Sequence, residues 1–211
     1  MDNNSIMLET VDSAPLNNDL NHRIAQRVRE LRASRAMSLE ALATRSGVSR
    51  SMISLIERGE SSPTAVVLEK LATALNTTLA SLFEASLANS DPVARYAEQP
   101  VWTDPHSGYV RRNVSPVGCD STTPAARSPI QVVEVLFPPD ARVTYESAMR
   151  EPPVHQQLWV LEGAMDISVG ETLHQLRAGD CLAHTLDRPM SFHNPTRKVA
   201  RYVVVIATLL A

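Results

Sequence analysis

The stretch "SLEALATRSGVSRSMISLIERGESSP", residues 38–63, contains two short helical segments and the turn that joins them. Ser38 is placed to cap a first helix, and Gly47 is placed to end it. Ser49 can cap a second helix, which stops at Gly59. The spacing therefore predicts two short helices that cross at a tight turn.

Helical spacing continues on both sides of this stretch. Residues 23–34 ("RIAQRVRELRAS") place apolar side chains on one face and arginines on the other. The segment "TAVVLEKLATAL", residues 64–75, predicts a fourth helix, and Thr78 is placed to cap a short fifth helix, "LASLFE". We expect a compact bundle of five helices.

Two helices joined by the turn "SGVS" predict a helix-turn-helix, whose second helix lies in the major groove of DNA. Its outward face near the N-terminus carries the residues that we expect to contact base edges: Arg50, Ser51 and Ser54. A second set is better placed for phosphate groups: Ser49, Arg45 and Arg58.

Residues 23–84 resemble the helix-turn-helix domain of the lambda-repressor/Cro class, often called xenobiotic-response-element-type regulators. The string "GVSRSMISLIERGESSP" carries the resemblance. Glu57 matches an acid of that pattern, and we interpret it as an internal ion pair or cap. Leu39 departs from the pattern, since many members have a glutamine there that contacts phosphate.

Beyond residue 89 prolines are frequent and short strand-like runs replace helical spacing, which indicates an antiparallel sandwich or barrel. The fold class is therefore α + β with two domains. The boundaries that we predict are a disordered leader over 1–20, a helix-turn-helix domain over 21–88, a linker over 89–100 and a β domain over 101–211.

The β region resembles the cupin barrel, a double-stranded β-helix. "VLEG" (160–163), Gly170, "LRAGD" (176–180) and Asn194 fall at the spacing of that family's two motifs. A helix-turn-helix followed by a cupin is a known regulator architecture, so the resemblance implies a sensor domain.

The metal ligands of cupins are replaced in this chain. The glutamate position holds Gln156, the second-motif histidine position holds Met190, and the His-x-His pair would fall in "MREP" at 149–152. An amide and a thioether are poor ligands for a divalent ion. His155, His184 and His193 are an alternative set of ligands, but strand alternation separates them, and we predict no metal and no cofactor.

A barrel without metal still encloses a cavity. Strand alternation points an amide and several apolar side chains inward, and two more polar residues are candidates for the mouth, where they can orient a polar or anionic group. The predicted pocket consists of Gln156, Leu158, Met190, Phe192, Tyr145 and Arg112.

Composition agrees with a protein of this kind. The net charge of −3 argues against DNA binding, but residues 21–88 carry nine Lys/Arg against six acids, which makes that block basic. Cys119 and Cys181 are too few for a disulfide framework, and no run is long enough to span a membrane. We expect a cytoplasmic protein.

Three functions remain open at this point. We expect a non-enzymatic regulator that binds a pseudo-palindromic operator in double-stranded DNA as a homodimer and senses a small-molecule effector. The apolar strand "ARYVVVIATLL", residues 200–210, is the expected dimerisation surface. One alternative is a metalloenzyme of the oxidase or epoxidase type, which needs an intact metal triad. The other is an antitoxin-like interaction module, which leaves the barrel unexplained.

Overall fold

The computed structural model describes residues 14–83, 92–116, 128–146 and 150–208, with side chains from residue 20 onward. Four α-helices come first: α1 (Ala14–Ser34), α2 (Leu39–Ser46), α3 (Arg50–Glu57) and α4 (Ala65–Ala74). Helix α1 begins inside the segment predicted as a leader, and its buried Leu20 continues the apolar face one turn ahead of Ile24. No described helix has the length and apolar character to cross a membrane.

The expected fifth helix is a single 3-10 turn, Ala80–Phe83. Thr78 does cap it, since its Oγ1 accepts a hydrogen bond from the Ser81 N–H at 3.1 Å. So short a segment gains little from helix cooperativity, and tertiary packing decides its geometry. Here that packing is the Phe83 ring, whose centroid lies 5.3 Å from that of Trp102 in the β domain.

Ten strands and a 3-10 turn (Tyr96–Glu98) make up the rest of the described chain. The strands are β1 (Val101–Thr103), β2 (Val110–Asn113), β3 (Ile130–Phe137), β4 (Arg142–Tyr145), β5 (Val154–Glu162), β6 (Ala164–Val169), β7 (Thr172–Arg177), β8 (Cys181–Thr185), β9 (Met190–His193) and β10 (Ala200–Thr208). The 3-10 turn lies inside the segment predicted as a linker.

The strands form two antiparallel sheets, and within the described residues the hydrogen bonding does not close them into the expected barrel. One sheet has the order β1-β2-β3-β10-β5-β8 and the other β4-β9-β6-β7. Their apolar faces meet, as the Phe192 ring on β9 and the Tyr202 ring on β10 show by stacking 6.4 Å apart. The sheets therefore enclose a core, as a barrel would, without sharing one continuous ladder.

Helix α4 joins the helical bundle to the β domain. The Asp104 carboxylate, in the loop after β1, accepts a hydrogen bond from the Ala65 N–H at 2.8 Å, which satisfies one of the free amides at the start of α4. Further along the same helix, the Glu69 carboxylate is hydrogen-bonded and ion-paired to Arg150. These contacts place one face of α4 directly against the interior of the β domain.

Candidate nucleic-acid interface and interior cavity

The turn between α2 and α3 forms as the sequence predicts. The Ser38 hydroxyl accepts from the Ala41 N–H at 3.0 Å, and the Ser49 hydroxyl accepts from the Met52 N–H at 3.3 Å. Gly47 has a φ of +67° and its N–H bonds to the Ala43 carbonyl, so a left-handed residue ends α2. The two caps and the glycine fix how α3 leaves the bundle.

One side of α3 is locked into the bundle. Ile53 and Ile56 are buried, and Val48 in the turn is buried with them. At the end of the helix, Arg32 on α1 makes a two-pronged ion pair with Glu57, with distances of 2.6 Å (Nε to Oε1) and 2.8 Å (Nη2 to Oε2). The expected internal ion pair of Glu57 is therefore confirmed.

The opposite side of α3 faces outward. The Arg50 side chain is 69% exposed, and its nearest carboxylate, that of Glu40, lies 4.0 Å away. Ser51 is exposed beside it, whereas the half-buried Ser54 accepts a 2.6 Å hydrogen bond from Arg58 Nη1. Arg50 can therefore leave a long, exposed ion pair at little cost, whereas Ser51 shares a 3.2 Å hydrogen bond with the Ser49 hydroxyl and Ser54 must first release Arg58.

The three residues assigned to phosphates differ in whether their side chains already have hydrogen-bond partners. Arg45 is exposed at the end of α2. The Ser49 hydroxyl is already used as the cap of α3. The Arg58 guanidinium also binds Glu60 at 2.8 Å, and this hydrogen bond raises the pKa of Arg58.

Met52, exposed beside Ser51, is a surface residue that the sequence reasoning missed. The signal that could have found it is its place one position before the buried Ile53.

A cavity of about 60 Å³ lies between the two sheets and α4. Four of the predicted pocket residues line it: Gln156, Tyr145, Met190 and Phe192. Leu158 points to the same side of β5 as Gln156 but is buried deeper, outside the lining. The remaining walls include residues that sequence reasoning did not select, among them Glu69, Leu79, Tyr109, Arg111 and Tyr202.

Arg112, the other predicted pocket residue, does not line this cavity. It faces outward, where it forms an ion pair with Glu134 at 3.4 Å and lies 4.1 Å from the centroid of the Tyr96 ring. The strand alternation instead turns its neighbour Arg111 inward, and Arg111 is 7% exposed. Two consecutive arginines on one strand must face opposite ways, and this was the signal that one of them is buried.

Burial changes the acid–base chemistry of the cavity wall. It raises the pKa of Tyr109 to about 12, and it also raises the pKa of Tyr145 and of Tyr202. The phenols of Tyr109 and Tyr145 are hydrogen-bonded to each other at 3.1 Å. At neutral pH these groups are therefore uncharged and keep protons that they can donate.

The three histidines considered as alternative metal ligands lie apart. His155 is exposed on the outer face, and His193 lies within 3.6 Å of Asp140 and Asp166 oxygens. His184 faces inward opposite Gln156, and neither of its ring nitrogens has a hydrogen-bond partner among the described residues. Within the same residues no group of three His, Cys, Asp or Glu side chains comes together, and Met149 of "MREP" and Cys119 lie outside them.

Comparisons with known proteins agree with the helical part of this description. A helix-turn-helix family model, HTH_3, matches residues 28–82. The chain is 27% identical over 183 residues to the HTH-type transcriptional regulator SutR of Escherichia coli (strain K12). The aligned region covers 79% of this chain and 84% of that protein.

A solved structure extends the likeness to most of the chain. The crystal structure of an HTH_3-family transcriptional regulator from Vibrio cholerae superposes with a TM-score of 0.69 at 26% identity, covering 92% of this chain and 99% of that one. Hydroxypropylphosphonic acid epoxidase from S. wedmorenis superposes with a TM-score of 0.41 at 20% identity over 88% of this chain and 97% of its own, a likeness too weak to support an argument. Residues 28–82 thus form a helix-turn-helix domain of the lambda-repressor (xenobiotic-response-element) type, and an antiparallel two-sheet domain follows it in the same chain.

Proposed function

We propose that this protein is a sequence-specific DNA-binding transcriptional regulator, not an enzyme, and that its β domain senses a small molecule without a metal. The observation that carries the proposal is the division of α3 into two sides. Ile53 and Ile56 are buried, while the first turn presents Arg50 and Ser51 to solvent. A helix held in this way can enter a major groove without disturbing the bundle.

The side chains suit the roles that we assign to them. The Arg50 guanidinium can fork onto O6 and N7 of a guanine, and the Ser51 and Ser54 hydroxyls can bond to several bases. Arg45, Arg58 and Ser49 contact phosphates, which position the domain without specifying sequence. The regulators that the chain resembles carry the same type of domain.

The protein binds its operator as a homodimer. A single small helix-turn-helix buries too little surface for specificity, and this class reads half-sites about one helical turn (~34 Å) apart. Strand β10 lies between β3 and β5, so it offers a face and not an edge. On that face Val203 lies opposite Trp159, whose exposed fraction is 50%, and this pair is the centre of the dimer surface that we propose.

The cavity is placed to link sensing with DNA binding. Its wall includes Glu69 of α4 and Leu79 just before the last 3-10 turn of the bundle, together with residues of both sheets. An occupant therefore contacts the DNA-binding part and the β domain at once. A ligand that prefers one arrangement of the two parts shifts the population toward it and changes the spacing of the recognition helices.

The proposed mechanism includes no metal because of the side chains that line the cavity. Gln156 and Met190 line the cavity where a cupin would place glutamate and histidine. An amide oxygen and a thioether do not compensate an iron or zinc ion for its lost water. The cavity therefore offers an amide, phenols and a guanidinium for hydrogen bonding to an organic ligand.

The test is selection of bound duplexes from a random pool with the full-length chain. We expect a pseudo-palindromic sequence to be enriched, and we expect Arg50→Ala to lose the preference at one base position in each half-site. The surface variant Arg142→Ala, on the exposed start of β4, is the control. Enrichment of no sequence would rule out the proposed function, and an unchanged preference in the Arg50→Ala protein would rule out the role assigned to Arg50.

A further inference from the structure

The polar groups on the cavity wall differ in whether they have hydrogen-bond partners. Arg111 is buried, and its Nε and Nη2 atoms have no hydrogen-bond partner in the part of the chain that the structure describes. A guanidinium stays charged in a protein, and a buried N–H group without an acceptor costs stability. The fold accepts this cost at a position that faces an open cavity.

The nearby carboxylates are already occupied by other donors. Glu69, 6% exposed, accepts from Arg150, and Asp104 accepts from the Ala65 N–H and from the N–H and hydroxyl of Ser107. Arg111 therefore lies near negative charge, but within the described residues its Nε and Nη2 groups donate no hydrogen bond to a carboxylate.

An aromatic ring stabilises the charge of Arg111 without using its donors. The centre of the guanidinium lies 5.3 Å from the centroid of the Phe83 ring. A cation–π contact of this kind involves the face of the ring and provides no acceptor for Nε or Nη2. The N–H groups remain available to a ligand.

The rest of the wall favours an oxyanion with a short apolar part. Tyr109, Tyr145 and Gln156 provide donors, and one proton of the Tyr109–Tyr145 pair is not used between the two phenols. Met190 and Phe192 line the opposite wall with apolar surface. Since one water needs about 10–15 Å³, a cavity of about 60 Å³ holds a molecule of only about four to six heavy atoms.

We propose that the cavity binds a small organic oxyanion (a carboxylate, sulfonate or phosphonate with a short apolar substituent) through the Nε and Nη2 atoms of Arg111. This inference rests on the proposed sensing function and names its class of ligand. The fork of N–H donors matches two oxygens of such an anion. Binding neutralises the charge that Arg111 presents to Glu69 on α4, so the occupied and empty states differ in the field at that helix.

Thermal unfolding of the full-length protein at constant ionic strength, with chloride replaced by the probe, tests the assignment. The probes are propionate, methanesulfonate and methylphosphonate, and the neutral controls of equal size are propionamide and dimethyl sulfone. We expect at least one anion to raise the Tm, by about 5–10 °C when its concentration reaches about 100 times its Kd, and the neutral compounds to leave it unchanged. The three anions also show which acid group is preferred.

Two variants one residue apart locate the effect. Arg111→Gln removes the buried guanidinium and should abolish the anion-induced rise in Tm, whereas Arg112→Gln removes the outward arginine of the same strand and should keep it. If the Gln variant does not fold, Arg111→Lys replaces it, since a lysine keeps the charge without the two-pronged geometry and should reduce the rise.

Other outcomes overturn the assignment in distinguishable ways. A rise in Tm with the neutral compounds alone would refute the anion class and leave sensing intact. A rise that persists in both Arg111 variants would place the site elsewhere. No rise with any probe would refute a small-anion site, and selection of operator DNA, which needs no ligand, would still decide whether the protein is a DNA-binding regulator.

Discussion

Two arginines in this molecule, the partly buried Arg32 and the buried Arg111, have opposite surroundings. In the helical bundle, Arg32 meets the Glu57 carboxylate through two hydrogen bonds, at 2.6 and 2.8 Å. In the β domain, Arg111 faces a cavity, and its Nε and Nη2 atoms have no partner among the described residues. The first arrangement stabilises the fold, because the two ions are hydrogen-bonded to each other. The second is open, and it is where we expect a ligand to complete the hydrogen bonding.

The difference separates structural from functional use of a buried charge. Removing one member of a satisfied buried pair leaves the other uncompensated, which costs about 3–5 kcal/mol. Removing a buried guanidinium whose N–H groups lack acceptors takes away a cost instead. Substitutions at the two places should therefore change stability in opposite directions.

The largest effect should follow from Glu57→Gln. Loss of the carboxylate leaves Arg32 with a neutral amide, and we expect the free energy of unfolding to fall by about 3 kcal/mol, the lower end of that range, because the Arg32 side chain is 19% exposed. Arg111→Met should leave stability unchanged or raise it by about 1–3 kcal/mol, since a buried unpaired guanidinium becomes an apolar side chain. Denaturant unfolding of both full-length variants measures the two values. Equal destabilisation by both would mean that Arg111 is satisfied in the folded state.

The next effect concerns reading of DNA by the outward face of α3. Arg50→Ala should cost about 1–3 kcal/mol of binding free energy on the selected duplex. The cost should be smaller on a duplex in which the base pair contacted by Arg50 is changed. Arg58→Ala should weaken binding to all sequences about equally, because that guanidinium is held by Ser54 and Glu60 and is assigned to phosphate. Binding isotherms with the selected duplex and with a scrambled one compare them. A uniform loss for Arg50→Ala would refute its assignment to a base.

A third prediction concerns the outer face of the six-stranded sheet. Trp159→Arg places a charge at the centre of the proposed dimer surface and should weaken self-association by at least about tenfold, or 1.4 kcal/mol. Leu173→Arg is the matched control, because Leu173 is exposed to a similar extent (55%) on β7 of the other sheet. Sedimentation velocity measures both. An unchanged dimer in the Trp159 variant, or a dimer lost only in the control, would move the interface elsewhere.

The smallest effect is the pH dependence contributed by His184. Burial lowers the pKa of His184 below its usual value, so the unfolded chain takes up a proton before the folded one as the pH falls. The stability from neutral His184 is present above about pH 6.5 and is lost as the pH falls through the folded pKa. One proton changes the unfolding free energy by at most about 1.4 kcal/mol per pH unit. Unfolding between pH 7 and 5 should be less pH-dependent in His184→Gln, and an equal slope would contradict this.

The sequence predicted the helical part well because its signals are local. The caps at Ser38 and Ser49 act over three residues, and Gly47 acts on its own backbone. The fifth helix was the exception, since contacts with the β domain fix the turn at Ala80–Phe83.

The cavity was harder to predict because its walls come from distant parts of the chain. Alternation along β5 and β9 correctly turned Gln156, Met190 and Phe192 toward the interior. In β2 the choice between Arg111 and Arg112 depends on pairing with β1 and β3, and the sequence alone did not fix it. The contribution of α4 could not be found from either domain by itself, because it arises only when the two pack together.

We propose that an anion in the shared cavity controls DNA binding. The most direct measurement is the Kd of the full-length protein for its selected duplex, with and without the panel anion that raises the Tm most, at constant ionic strength. We expect a 5- to 150-fold change in Kd, equal to a coupling of about 1–3 kcal/mol, that persists in Arg112→Gln and disappears in Arg111→Gln. The same Kd with and without the anion in the unsubstituted protein would contradict it.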